Sequence, residues 1–80
     1  MTPREVFNEL TPRQRAALAL MPAGGDHYRP RDPVAHETIA KIAKRYSGDV
    51  VERVTGSWFY YLRPLGREVR ELIDQKGNQA

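Results

Sequence analysis

Apolar residues recur along this chain with two different periods. Between Asp32 and Gly48 they fall at Ala35, Ile39, Ile42, Ala43 and Tyr46. Those steps of four, three, one and three trace one stripe of a 3.6-residue period. The pattern predicts a helix over 33–46, with Asp32 as N-cap, Pro33 in the first helical position and Ser47-Gly48 as its end. Gly48 can take the left-handed cap conformation. The other side of this helix carries Glu37, Ala40, Lys41, Lys44 and Arg45. A second stripe of Leu65, Val69, Leu72 and Ile73 predicts a helix opening at Pro64, with Arg67/Glu71 and Arg70/Asp74 one turn apart on its far face. Between the two helices the period shortens. "DVVERV" at 49–54 is β-branched, "TGS" at 55–57 is a turn and "WFYYLR" at 58–63 is the most strand-like segment of the chain. Together they predict a β-hairpin whose second strand turns Trp58, Tyr60 and Leu62 into the core. Phe59, Tyr61 and Arg63 then face the other way.

The first third is organised by caps. "TPRE" at 2–5 and "TPRQ" at 11–14 each place Thr at an N-cap, Pro at the first helical position and Glu or Gln at the third. That is the reciprocal capping box, written twice. It predicts one short helix over 3–10 and a second from 12 to about 21, with a bend forced by Pro12. The second helix ends in "AALALM", apolar on nearly every side, which predicts that its end is enclosed by protein. "PAGGDHYRPRDP" at 22–33 holds three Pro and two Gly, so a loop is expected there, with a short extended piece at His27–Arg29. Residues 75–80 read as a frayed tail. The order of elements is α+β: three to four helices plus a β-hairpin, in which the helices cover one face of a ribbon that would be marginal alone.

Composition narrows the class. Eighty residues make a single domain over 1–80, with 1–10 as an N-terminal extension helix. Apolar residues at 40% and charged residues at 29% fit a soluble globular domain. There is no Cys, which removes disulfides and thiol chemistry. The chain has no apolar run long enough for a membrane span and no signal-like start, so the cytoplasm is the expected location. The net charge of +3 is uneven. Residues 22–48 carry five basic against three acidic side chains, whereas residues 49–80 carry five against five.

With those pieces placed, the chain resembles a small bacterial winged helix-turn-helix domain of the MarR- and PadR-like kind, over roughly residues 11–73. Three stretches carry the resemblance. "LTPRQRAALAL" is similar to the opening helix, "ETIAKIAKRYSGDVVERV" to a recognition helix leading into the first wing strand, and "YYLRPLGREVREL" to the second wing strand and the helix after it. The resemblance implies a small winged-helix-like fold and a transcription regulator, bacterial or phage-encoded, that binds double-stranded DNA without a cofactor. Two departures stand out. Arg63 occupies the place where those families write a capping Thr. The first helix of the helix-turn-helix would fall in the Pro- and Gly-rich loop, where it is absent or reduced to a turn.

On the DNA reading, helix 33–46 offers His36 and Glu37 to base edges, and Lys41, Lys44 and Arg45 to phosphates. The hairpin tip adds Arg53 and Ser57 as a wing. The competing reading of the helix face is a solvated surface with a Glu37/Lys41 pair. A second function class is a protein-interaction module, such as a small adaptor or inhibitor of a larger complex, phage- or mobile-element-encoded. Phe59, Tyr61, Arg29 and Arg31 would form its interface. Stacking of single-stranded bases needs exposed rings interleaved with cations along a groove, and within the aromatic block Arg63 is the only cation. The two His lack a third ligand, so no metal is expected. No nucleophile, carboxylate pair or phosphate-cradling loop points to an enzyme. A homodimer through Val6, Phe7 and Leu10 of the first helix is the natural extra contact.

Overall fold

A computed structural model describes residues 1–76. Six elements follow one another: α1 (Pro3–Glu9), α2 (Pro12–Ala19), α3 (Pro33–Arg45), β1 (Val51–Arg53), β2 (Tyr60–Leu62) and α4 (Pro64–Lys76). The domain is α+β, with four helices and an antiparallel hairpin. Both capping boxes form. Thr2 and Thr11 accept from the amides of Glu5 and Gln14, whose side chains accept in return from the Thr amides. The Thr2 amide, followed by the Thr2 hydroxyl, holds the Glu5 carboxyl below its ordinary range. Asp32 caps α3 by accepting from the Val34 amide at 3.0 Å.

The end of α3 differs in detail from expectation. The first residue past its cap is Ser47, at φ 54°, and Gly48 follows at φ 82°. Gly48 N–H reaches back to Ala43 O at 3.0 Å and Ser47 N–H to Lys44 O at 3.3 Å. That is the Schellman pair of bonds, with Ser where Gly is usual.

The hairpin pairs Val51 with Leu62, Glu52 with Tyr61 and Arg53 with Tyr60. Its strands are shorter than the 49–54 and 58–63 expected. The Thr55–Ser57 turn widens into the last two positions before Tyr60, so Trp58 keeps the side of Tyr60, against His36, but stands in the turn and is left exposed. Trp58 is 57% exposed, which corrects its assignment to the core; Tyr60 and Leu62 are buried as expected. The extended piece in the 22–33 loop is a single residue. Tyr28 exchanges both backbone hydrogen bonds with Tyr60, at 2.7 and 2.8 Å, and so lengthens the sheet by one position on the far side of β2. Between α2 and α3 there is no helix, only a turn closed by Gly25 N–H to Pro22 O.

The helices pack on one face of this sheet, α3 against β1 and α4 against β2. Ile39, Ile42 and Tyr46 of α3, Val69 and Ile73 of α4, and Val50, Val51 and Leu62 belong to one buried apolar cluster. Gly66 allows the closest approach: a Cβ there would lie 1.9 Å from the Val50 carbonyl oxygen. α1 folds back onto α4 and buries Val6, Phe7 and Leu10 inside this same chain. The apolar side that suggested a dimer contact is therefore consumed internally. Arg15 of α2 lies beneath α1, its guanidinium 4.7 Å from the Phe7 ring and donating to Phe7 O at 3.0 Å. Phe7 O is one of the last-turn carbonyls that a helix leaves without an internal partner.

Three further expectations change. α2 stops at Ala19, and Leu20 after it is 56% exposed, so Ala17, Leu18 and Met21 of that apolar end are buried and Leu20 is not. On α4, Arg70 pairs with Asp74 and also donates to Met21 O, whereas Arg67 lies over Gly25 in place of the Glu71 partner expected. α4 continues through Gln75 and Lys76, which the tail reading had left out; the rest of that tail, 77–80, lies outside the described residues. No described helix is long and apolar enough to cross a membrane.

Candidate nucleic-acid interface

The exposed ridge of α3 stands between two grooves. One, of about 500 Å³, runs between α3 and the hairpin and is lined by Ala40, Ala43, Lys44, Gly48, Val51, Glu52, Arg53 and Tyr60. The other, of about 300 Å³, runs between α3 and the start of α2 and is lined by Thr11, Arg13, Gln14, Val34, Glu37, Thr38 and Lys41. Lys44 and Arg53 thus share one groove, and Lys41 shares the other with Arg13. Lys41 and Lys44, three residues apart, are neighbours on the ridge, and each lines the groove on its own side of it. Arg13, at the second helical position of α2, is exposed, and the Thr11-Pro12 cap before it is its only mark in the sequence.

Not every residue of the sequence-derived set reaches this surface. Arg45 turns toward α1, where it pairs with Glu9 at 3.5 Å beside the Tyr46 ring. Glu9 also accepts from the Tyr46 hydroxyl at 2.8 Å. Burial, followed by that hydrogen bond, pushes the Tyr46 phenol up to about 12. Ser57 spends its hydroxyl on the turn, donating to Val54 O at 2.9 Å and accepting from Phe59 N–H at 3.2 Å. Glu37 forms its expected pair with Lys41 at 3.1 Å, fully in solvent. Such exposed pairs hold a side chain only weakly, so the ammonium remains free to exchange partners.

His36 is half-buried. Its Nε2 is 3.3 Å from the Tyr60 hydroxyl, and its ring meets Trp58 and Tyr60 edge-on at 5.4 and 5.6 Å. Arg53 lies 5.8 Å from the Trp58 ring centre, a cation–π arrangement. The α3 side of the hairpin tip therefore gathers Arg53, Trp58 and His36 into one patch, continuous through Tyr60 with the groove that holds Lys44. Trp58 was missed as a surface residue because the inward side of the strand was taken to stay buried through the turn.

The other face of the sheet is different. Antiparallel pairing of Tyr28 with Tyr60 sets Arg29 across from Phe59 and His27 across from Tyr61. The His27 and Tyr61 rings are 5.3 Å apart. Phe59 is 41% exposed, and Tyr61 is half-buried with its hydroxyl donating to Glu52 at 2.5 Å. Glu52 also pairs with Arg63 at 3.5 Å. Arg29, Arg31 and Phe59 line one groove of about 670 Å³ with His27, Tyr28 and Pro30. The two His stand on opposite faces of the sheet, and no group of three or more His, Cys, Asp or Glu gathers at metal-binding range among the described residues.

No protein-family model matches the chain, and no curated protein and no solved structure matches it.

Proposed function

We propose that this domain binds double-stranded DNA, with α3 presented to the major groove and the hairpin tip lying along the adjoining backbone. The reading is that of a small transcription regulator of winged-helix type. The observation that carries it is the convergence of Lys44 from α3 with Arg53 from the hairpin on one groove, with Lys41 and Arg13 on the flank of the same ridge. The four cations come from three separate elements. Glu52, which sits beside Arg53 in sequence, has its carboxylate engaged by Tyr61 and Arg63. An α-helix with cations on its exposed ridge fits the width of the major groove, and a ribbon beside it can follow the phosphates. Arg45 and Ser57 drop out of the contact set, and Arg13 and Trp58 enter it. The single turn at 22–25 leaves α2 to brace α3 directly, so orientation on the duplex falls to Arg13 at the start of α2.

The test is fluorescence anisotropy of a labelled mixed-sequence duplex across a salt series. Binding should weaken steeply as salt rises, because each neutralised phosphate releases condensed counterions. Lys44→Ala and Arg53→Ala should each reduce the logarithmic salt slope by about 1. Arg45→Ala should leave it unchanged. Absence of binding to any duplex at about 50 mM salt, where non-specific contacts are strongest, would refute the reading.

A further inference from the structure

The face of the sheet turned away from the helices meets the requirement that the linear aromatic block lacks. Base stacking needs exposed rings interleaved with cations. Within "WFYYLR" there is one cation, but the bridge of Tyr28 to Tyr60 lays the 27–31 loop beside β2 and changes the count. Arg29 comes opposite Phe59, His27 rests on Tyr61, and Arg31 continues the groove past Pro30. No carboxylate lines that groove. Neither Arg29 nor Arg31 has an ion-pair partner among the described residues, and the nearby Glu52 is held by Arg63. The face therefore carries an excess of positive charge over a row of rings.

We infer that this outer sheet face binds unpaired bases of single-stranded DNA, with Phe59 and His27 as stacking platforms and Arg29 and Arg31 on the phosphates. A protein partner would want an apolar centre inside a polar rim, and the loss of charge from that centre. Here the cations line the groove itself, directly across from the ring, as a backbone flanked by stacked bases requires. Every nucleobase offers a π-face, so the surface selects the unpaired state without selecting sequence. The inference rests on the duplex reading in one respect only. The two faces share the hairpin, so a duplex on the α3 side would send a single-stranded tail around the hairpin tip onto the rings.

The experiment measures binding of the whole chain to a blunt duplex, to the same duplex with a single-stranded thymidine tail, and to the thymidine strand alone. The tail should raise affinity on the order of tenfold for each base stacked. Phe59→Ala, and separately Arg29→Ala with Arg31→Ala, should abolish that gain and leave blunt-duplex affinity unchanged; these side chains are exposed or line an open groove, so folding is not at stake. Equal affinity for blunt and tailed duplexes overturns the inference and leaves the duplex reading standing. Binding of tail without blunt duplex does the reverse. Binding of a poly-glutamate peptide that is lost in Phe59→Ala, with no effect of the tail, assigns the face to an acidic protein and overturns the inference. Binding to none of the DNA probes overturns both.

Discussion

Gly66→Ala tests the packing argument most sharply, because two expectations pull in opposite directions. In an open helix the change stabilises: Ala exceeds Gly by about 0.8–1.0 kcal/mol in helix propensity. Here the new Cβ would lie 1.9 Å from the Val50 carbonyl oxygen and 2.9 Å from its carbon. Ordinary C···O contacts begin at roughly 3.3 Å, so α4 and β1 must part by about 1.4 Å. The obstacle is backbone and cannot rotate aside. The same Val50 carbonyl accepts from Arg63 N–H at 3.0 Å, one residue before α4 begins, so separation stretches that bond as well. Overpacking costs about 1–3 kcal/mol and a lost hydrogen bond about 1 kcal/mol. After the propensity gain, a net loss of about 1–3 kcal/mol remains. For a domain of this size each kcal/mol lowers Tm by about 4–8 °C, so a fall of roughly 5–25 °C is expected. Urea unfolding followed by helix circular dichroism measures it, with Gly24→Ala as the control, where a Cβ meets nothing within 4 Å. A Gly66→Ala protein as stable as the parent, or more so, would refute the close approach.

Trp58→Ala should cost less than about 1 kcal/mol, whereas Tyr60→Ala should cost about 3–5 kcal/mol, read from the same urea titrations; equal losses would return Trp58 to the core. Ser47→Gly should add about 0.5–1 kcal/mol, since Ser47 holds a left-handed conformation that glycine adopts freely, and a loss of stability would contradict the Schellman geometry. The Tyr46 phenol sets an alkaline limit. Its folded value of about 12 lies above the ordinary value of 10.0, so its share of stability is complete below pH 10 and is lost as pH rises from 10 toward 12. Tyr46→Phe should flatten the fall in stability over that window, as seen by circular dichroism at a fixed urea concentration.

Caps and stripes carried most of the fold into the sequence. Thr2, Thr11 and Asp32 announced three helix starts because a cap is a local event between residues three or fewer apart. Ile39, Ile42, Val69 and Ile73 announced two buried faces because helical period and core contact are the same geometry. What failed was contact that depends on distant chain. Arg45 read as part of an exposed basic stripe, but Glu9 in α1 draws it away. Ser57 read as a free hydroxyl, but its turn consumes it. Trp58 read as buried because the side it faces was equated with burial, although it stands in the turn. The ring-and-arginine face was illegible for a simpler reason: Arg29 and Phe59 are separated by the whole of α3 and the whole first strand, and only the Tyr28 bridge brings them together.

That bridge also orders events in time. Arg53 finds Tyr60 across a short turn, a closure of the microsecond kind, and the helices need only local contacts to start. Tyr28 must instead return to Tyr60 past all of α3, and it gains two backbone hydrogen bonds at one residue when it arrives. Long closures with small local return come late in folding and open early in the native state. The outer face is therefore the last surface the chain completes and the first it gives up. Its assembly reports whether α3 and the hairpin have already docked.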